Sequence, residues 1–287
     1  MSEKNLLRRR KPEWLRVKLP SGDNFRKIRH IVREHNLHTI CTSGSCPNMG
    51  ECWVDGTATF MILGNICTRS CKFCNVATGR PLPPDPEEPY KVADAIRKMQ
   101  IRHAVLTSVD RDDLPDLGVG HWVETIRQVR RLNPGITMET LIPDFKGKPE
   151  ILDRLIAEKP EVVSHNLETV RRLTRQVRVQ AKYDRSLFVL EYLKDHGIRR
   201  TKSGIMLGLG ETDEDVLETL EDLRRVNVDI VTIGQYLQPN PDLLPVQEYV
   251  HPEKFAYFER IARQMGFRHV ESGPLVRSSY HAHKHID

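Results

Sequence analysis

The chain has 287 residues, of which 39% are hydrophobic and 29% charged, a composition typical of a globular protein with a sizeable core. No apolar run approaches the roughly 20 residues that span a bilayer, and the amino terminus lacks the apolar segment of a secretory signal, which argues against membrane and secreted classes. The net charge of +5 comes from residues 1–18 alone. This basic arm suits an acidic partner, but no basic face with interleaved aromatic residues follows, so nucleic-acid binding is at most a minor option.

All six cysteines fall between positions 41 and 74, in two sets of three. The first set has the spacing C-x4-C-x5-C and the second C-x3-C-x2-C; the members are Cys41, Cys46 and Cys52, then Cys67, Cys71 and Cys74. Disulfide frameworks are typical of short secreted proteins, and structural zinc usually takes four ligands in two close pairs. Sets of three thiolates fit better around an iron–sulfur cluster that keeps one iron open. Such sites need reduced thiols, so we expect a cytoplasmic protein.

Six apolar, β-branched segments alternate with helical patterns along the rest of the chain. The predicted strands cover 57–63, 103–109, 136–142, 161–167, 201–207 and 229–236. The predicted helices lie near 88–99, 119–131, 149–158, 184–196, 212–226 and 252–265, and Thr212 or Asp213 caps the fifth. This alternation predicts an α/β fold with a parallel sheet and right-handed crossovers. Eight repeats would close a complete barrel.

The second cysteine set, with Phe73 before its last cysteine, resembles the signature of the radical S-adenosylmethionine (radical SAM) family. The resemblance implies a [4Fe–4S] cluster on three thiolates, whose open iron chelates S-adenosylmethionine (SAM). It also implies a partial (β/α)6 TIM-type barrel, which we assign to 56–250, between an N-terminal extension (1–55) and a C-terminal cap (251–287). The cysteine loop would then follow the first strand, at the end where parallel barrels carry their chemistry.

Polar residues at other strand ends are candidates for SAM contacts under the same resemblance. Thr107 and Ser108 follow the second strand, where the family contacts the methionine part of SAM. Asn166 and Glu168 end the fourth strand and would bind the ribose hydroxyls, or alternatively cap a helix. Gly208 lies in "GLGE", where glycines let a ligand approach the backbone, although a plain strand-to-helix turn explains the stretch equally well.

The first cysteine set, in "CTSGSCPNMGECW", extends the resemblance to the lipoyl synthase family, together with "RKPEWLRVKLPSG" and the distant "GPLVRSSYHA". The resemblance runs from about residue 10 to 282. It implies a second, auxiliary [4Fe–4S] cluster on Cys41, Cys46 and Cys52, with a serine of "RSSY" as fourth ligand. We assign Ser279 to that role, and Ser278 remains an alternative. From composition alone "RSSY" is an ordinary polar tail.

The resemblance implies insertion of sulfur at C6 and C8 of an octanoyl chain held on a lysine of a lipoyl carrier domain. The implied partners are octanoylated 2-oxoacid dehydrogenase E2 subunits and the glycine cleavage H protein, with flavodoxin or ferredoxin as electron donor. Two alternatives stay open: another radical SAM enzyme that inserts sulfur or transfers methylthio groups, and a non-enzymatic iron–sulfur or metal-binding module. The final "HAHKHID" suggests a metal-binding tail, but we expect a solvated terminus.

Overall fold

The computed structural model of the chain describes residues 11–16, 26, 30, 31, 37–39, 48, 52 and 57–286. Its strands are β1 His38–Thr39, β2 Thr57–Ile62, β3 Ile66–Cys67, β4 Ala77–Thr78, β5 His103–Ser108, β6 Thr137–Leu141, β7 Val162–Ser164, β8 Thr201–Leu207, β9 Ile230–Gln235 and β10 His269–Gly273. Its α-helices are α1 Glu88–Lys98, α2 Val119–Leu132, α3 Pro149–Ile156, α4 Thr174–Arg178, α5 Tyr183–Asp195, α6 Asp213–Arg225 and α7 Pro252–Gln264.

Over the described residues, the main sheet has eight strands in the order β1-β2-β5-β6-β7-β8-β9-β10. From β2 onwards neighbouring strands are parallel, and only β1 runs antiparallel to its neighbour. The two outermost strands, β1 and β10, each pair on one side only. This is the open parallel arrangement of a partial barrel, so the predicted fold class is confirmed.

All six predicted strands form, but the parallel sheet continues by one further strand, β10. Strand β10 pairs with β9 from His269 opposite Ile230 to Gly273 opposite Gly234, and lies within the range expected as a C-terminal cap. Its sequence, "HVESG", holds one fully buried residue, Val270, because an edge strand is covered on fewer sides. A continuous apolar run, the signal for an interior parallel strand, is therefore missing here.

The helices pack apolar faces onto the outside of the sheet. On α1 the buried residues include Val92, Ala93 and Ile96, spaced as one helical face requires. Helix α6 begins at Thr212, whose side chain accepts from the Asp215 backbone N–H while the Asp215 carboxylate accepts from the Thr212 N–H. This capping box confirms the predicted start of the helix.

The inner face of the sheet is unusually polar. Side chains alternate along a strand, so Lys202, Gly204 and Met206 of β8 share one face. Gly204 and Met206 line a cavity at the carboxyl ends of the strands, and Lys202, buried, lies below them towards the amino ends. The barrel interior thus has a cavity at one end and buried polar side chains at the other.

The end of the chain enters this interior, contrary to the expected solvated terminus. A 3-10 helix spans Ala282–Ile286, and both Ala282 and His285 are fully buried. Among the described residues no three His, Cys, Asp or Glu side chains form a group that would hold a metal ion. Over the same described part of the chain, no helix combines the length and apolar character that crossing a bilayer requires.

Candidate active site

The C-x3-C-x2-C cysteines lie on one loop at the carboxyl end of β2. The short ladder between β3 and β4 closes this loop, pairing Ile66 with Ala77 and Cys67 with Thr78. Cys67, Cys71 and Cys74 are free, half-buried thiols that line a cavity of about 310 Å³. The loop therefore brings the three predicted ligands to the end of the barrel where the other strands also terminate.

A single arginine fastens the loop to the neighbouring strands. Arg69, only 5% exposed, lies 3.2 Å from Asp110 and 2.7 Å from both Asp112 and Asp144. These three carboxylates follow β5 and β6. Burial alone lowers the pKa of Arg69, but the three carboxylates outweigh it and raise the pKa above its ordinary value, so the side chain stays charged.

The environment of the three thiols disfavours free thiolates and suits metal ligation. Burial raises the pKa of all three, to about 12 for Cys71 and about 11 for Cys74. The Cys67 sulfur nevertheless accepts two backbone N–H groups, from Arg69 at 3.4 Å and Asp110 at 3.3 Å. Such donors stabilise a thiolate, so iron is expected to displace the protons on binding.

The three thiols surround one cavity and are not paired in disulfides. The ligands of a [4Fe–4S] cubane are separate in this way, because each binds a different iron. The three free thiols around one cavity agree with that arrangement.

The predicted SAM contacts at the strand ends mostly share this cavity. Phe73, Thr107, Ser108, Asn166 and Glu168 all line it. The Thr107 hydroxyl donates to the Leu141 carbonyl at 3.1 Å, and the Ser108 hydroxyl accepts from the Trp122 indole at 3.2 Å. These two hydroxyls are thus already held in place by the barrel.

Asn166 and Glu168 form the most distinctive polar group on the wall. The Asn166 amide nitrogen donates to the Glu168 carboxylate at 3.0 Å, while the Asn166 Oδ1 atom is buried without a protein partner. A Cβ on Gly204 would overlap the Thr232 hydroxyl and press on that Oδ1 atom, so glycine keeps the space open. An acceptor left unsatisfied in a cavity wall suits a ligand hydroxyl.

Glu168 also carries backbone strain. Its φ is 65°, in the left-handed region that costs a non-glycine residue about 1–3 kcal/mol. The strain is held by two backbone bonds to β8: the Glu168 N–H donates to the Gly204 carbonyl, and the Met206 N–H donates to the Glu168 carbonyl. Burial raises the pKa of this carboxyl above its usual range. The predicted strand 161–167 accordingly ends early, at Ser164.

Several cavity residues were not anticipated from the sequence, among them Asp110, Asp144, His165, Arg178 and Arg277. The His165 ring lies 2.9 Å from both the Ile142 carbonyl and the Ser186 hydroxyl, and burial lowers its pKa to about 4, so it is neutral. Burial raises the pKa of Asp110 to about 6. The acidic run "DRDD" directly after a strand was the available signal for Asp110.

Two predicted residues do not line the cavity. Gly208 packs against the Gln235 side chain and the Glu248 carbonyl, and a Cβ at this position would overlap both. Its φ is 95°, so the geometry of the turn explains the glycine. Ser279 is half-buried next to the cavity-lining segment Val276–Ser278, and Ser278 itself reaches the cavity.

The first cysteine set lies largely outside the described residues, which include Cys52 but neither Cys41 nor Cys46. Cys52 is half-buried, and its backbone N–H donates to the Asn48 carbonyl at 3.0 Å. The Asn48 side chain in turn donates to the Leu275 carbonyl at 2.7 Å, across 227 positions of sequence. Asn48 of the extension is therefore in contact with Leu275, two residues before "RSSY".

Comparison with known proteins agrees with this geometry. Residues 61–223 match the radical SAM superfamily, and residues 1–46 match the N-terminal domain of lipoyl synthase of the radical SAM family. The chain is 66% identical to a lipoyl synthase of Flavobacterium psychrophilum, over 99% of this chain and 98% of that protein. It is also 66% identical to a mitochondrial lipoyl synthase of Nematostella vectensis, over 96% of this chain and 95% of that protein.

Solved structures support the fold. Streptococcus suis SuiB bound to its precursor peptide SuiA superposes with a TM-score of 0.60 at 12% identity, over 86% of this chain and 52% of that chain. Methylornithine synthase (PylB) gives 0.54 at 14% identity, over 86% of this chain and 81% of that chain. The chain is 66% identical to lipoyl synthases over nearly its whole length, and three free thiols lie at the carboxyl end of its partial barrel. It therefore belongs to the lipoyl synthase family of radical SAM enzymes.

Proposed function

We propose that this chain inserts sulfur at C6 and C8 of an octanoyl chain carried on a lysine of a lipoyl carrier domain. The 66% identity over nearly the whole length of a lipoyl synthase carries the proposal. When bound on Cys67, Cys71 and Cys74, a [4Fe–4S] cluster supplies the electron that cleaves SAM to a radical able to take hydrogen from an unactivated carbon.

The chain's own residues then bind and orient SAM. Asn166 Oδ1 accepts from a ribose hydroxyl and the Glu168 carboxylate takes the neighbouring one, while Thr107 and Ser108 face the methionine part of SAM. Arg69 keeps the cysteine loop at the strand ends through its three carboxylates. Apolar wall residues, among them Met61 and Ile142, exclude water that would quench a radical.

A second cluster, consumed as the sulfur donor, is the other half of the proposal. We assign Cys41, Cys46, Cys52 and Ser279 as its ligands. The contact between Asn48 and Leu275 supports this assignment, because it joins a residue between Cys46 and Cys52 to the segment that carries the serine. An oxygen ligand is harder than a thiolate and suits a cluster that must release sulfide.

The proposed partners follow from this chemistry. The protein substrates are octanoylated 2-oxoacid dehydrogenase E2 domains and the glycine cleavage H protein, and the electron donor is a flavodoxin or ferredoxin. Reduced thiols are needed throughout, so we place the protein in the cytoplasm.

The test is anaerobic incubation of the reconstituted protein with SAM, a reductant and an octanoyl-lysyl peptide, read by mass spectrometry. The peptide is expected to gain two sulfur atoms while SAM is cleaved to 5′-deoxyadenosine. Cys71→Ala should abolish both reactions, whereas Cys52→Ala should retain SAM cleavage and lose thiolation. An unmodified peptide beside active SAM cleavage in the parent protein would refute the assigned substrate. Loss of SAM cleavage in folded Cys52→Ala would refute the separation of roles.

A further inference from the structure

The carboxyl-terminal tail is held inside the barrel by a buried polar group that the proposed reaction does not use. The Lys202 ammonium lies 2.8 and 2.9 Å from the two oxygens of Glu139 and 3.3 Å from Nδ1 of His285. Ser164 donates to Glu139 at 2.7 Å. The side chains of Lys202 and His285 are 0% exposed and that of Glu139 is 1% exposed. We call Glu139, Lys202 and His285 the tail latch.

The chemistry of the tail latch fixes the role of His285. An ammonium group only donates, so in this contact Nδ1 of His285 accepts, and the ring is neutral with its proton on Nε2, a buried atom that has no hydrogen-bond partner. Burial and the charge of Lys202 both lower the pKa of His285, in agreement with a neutral ring. The Lys202 ammonium therefore needs an acceptor from a tail side chain at this position to complete its hydrogen bonds.

The tail latch lies below the cavity, towards the amino ends of the strands. Lys202 is the second residue of β8 and Glu139 the third of β6, and the His285 ring is 5.7 Å from that of His269, the first residue of β10. Strand β10 ends at Gly273, at the cavity end. The chain therefore turns after β10 and returns through the barrel interior.

A second contact holds the upper part of the tail. The Val276 carbonyl lies so close to Gly234 of β9 that a Cβ on Gly234 would overlap it. Between Val276 and the buried Ala282 come the five residues of "RSSYH", all half-buried, with Ser278 at the cavity wall. The segment that carries the serines is thus a short bridge between two points at which the tail is held inside the barrel.

Two such attachments fix the register of the bridge. His283 precedes His285 by two residues, and if it replaced His285 in the tail latch the serines would move by up to about 7 Å along the tail. A buried ion pair adds little net stability over apolar packing, and its best-attested benefit is to specify one register.

We propose that His285 is a positioning residue for the auxiliary-cluster serine: by completing the tail latch it sets the register of the segment that presents Ser279 or Ser278 to the cluster. The proposal rests on the proposed function for the part that concerns the serine. It makes His285 necessary for holding the second cluster, although His285 does not line the cavity.

The test compares variants of the fully reconstituted protein. His285→Leu fills the space but cannot accept from Lys202, His285→Asn restores an acceptor, and exposed Lys284→Ala is the matched control. In His285→Leu, hydrogen exchange in the peptide 274–286 should rise at least tenfold, the size expected for losing one hydrogen bond to a charged group. A chelator should remove iron of the second cluster faster by a similar factor. His285→Asn should reverse both effects, Lys284→Ala should show neither, and SAM cleavage should persist throughout.

Unchanged exchange in His285→Leu, with the double variant His283→Leu/His285→Leu also unchanged, would overturn the proposal. Faster exchange with no change in iron loss would likewise overturn the role in positioning the serine. Ser279→Ala and Ser278→Ala separate the two hypotheses. If both leave iron loss unchanged in the parent chain, the serine ligand of the proposed function is wrong, while faster tail exchange in His285→Leu still supports the tail latch.

Discussion

Individual side chains of the site are fixed by partners far away in sequence. Arg69 is the clearest case, because it binds three carboxylates that lie 41 to 75 positions further along the chain. Asn166 is the opposite case, since its Oδ1 atom has no protein partner and is free for a ligand. Substitution of Arg69 should therefore lower stability, whereas substitution of Asn166 should weaken ligand binding.

Replacing Arg69 with methionine should destabilise the protein and the cluster loop. It would leave Asp144, fully buried, and its neighbours without their shared cation, and breaking a buried pair in this way costs about 3–5 kcal/mol. Denaturant unfolding and iron content after reconstitution measure the two effects. The matched control is Arg185→Met, which removes a more exposed partner of Asp144, at 3.1 Å, and should cost less. Equal losses from both variants would contradict the central role of Arg69.

Replacing Asn166 with alanine should weaken SAM binding without loss of iron. Loss of one neutral hydrogen bond corresponds to about a 2- to 10-fold weaker affinity. Equilibrium dialysis of the reconstituted protein with SAM measures it. Asn133→Ala is the control, because its amide bonds the Val129 and Ala93 carbonyls at the end of α2, outside the cavity. An unchanged affinity in Asn166→Ala would show that no ligand hydroxyl uses this acceptor.

At the scale of whole elements, the barrel positions its loops through close approaches between backbones. The β3–β4 ladder closes the cysteine loop, and the tail passes directly over β9 at Gly234. Strand β10 continues the sheet and then delivers the tail to the interior. Each close approach depends on the absence of a side chain or on one backbone turn. Adding a single methyl group to a glycine at such a place therefore tests whether the approach is needed.

Gly234→Ala should push the tail away from β9. Overpacking of this kind costs about 1–3 kcal/mol in the free energy of unfolding. Urea denaturation of the reconstituted protein measures the loss, and hydrogen exchange in the peptide 274–286 locates it. Gly79→Ala is the control, since its Cβ would meet only Ile66, at an ordinary 3.4 Å. Equal stability of Gly234→Ala and the parent would mean that the tail does not pack on β9.

At the scale of the whole molecule, the barrel buries neutral histidines at both ends. His103 begins β5 at the amino end, and its Nδ1 lies 2.8 Å from the Thr137 hydroxyl; His165 lies at the cavity end. Burial lowers the pKa of each to about 4. At these two histidines the folded state therefore binds fewer protons than the unfolded state between pH 4 and the ordinary histidine pKa of 6.5.

The two histidines should consequently lower the stability as the pH falls through this window, and Asp110, whose pKa of about 6 is raised, offsets part of that loss. The contribution is fully present above pH 6.5 and is lost progressively down to about pH 4. At 1.36 kcal/mol per pKa unit it amounts to about 3 kcal/mol for each histidine. Denaturant unfolding of cluster-free protein at several pH values measures the slope without interference from acid release of iron. His165→Asn should reduce the slope; a slope unaffected by that change would show that His165 is not the titrating group.

The sequence by itself determined the six strands β2 and β5–β9, most of the helices, the fold class and the two cysteine sets. These follow from local features: apolar periodicity sets each element, and the spacing of Cys67, Cys71 and Cys74 falls on one loop. Parallel strands also put their carboxyl ends together, so the strand-end positions of Thr107, Asn166 and Glu168, with the family resemblance, predict that they share one end of the barrel.

Only the tertiary structure decided which residues support those ligands. The carboxylates around Arg69, the acceptor that His285 offers to Lys202, and the bond from Asn48 to Leu275 join positions 41 to 227 residues apart. Strand β10 is recognisable only by its pairing, because an edge strand needs no continuous apolar run. Such contacts depend on strand register and on the path of the tail through the barrel, which no local pattern of residues encodes.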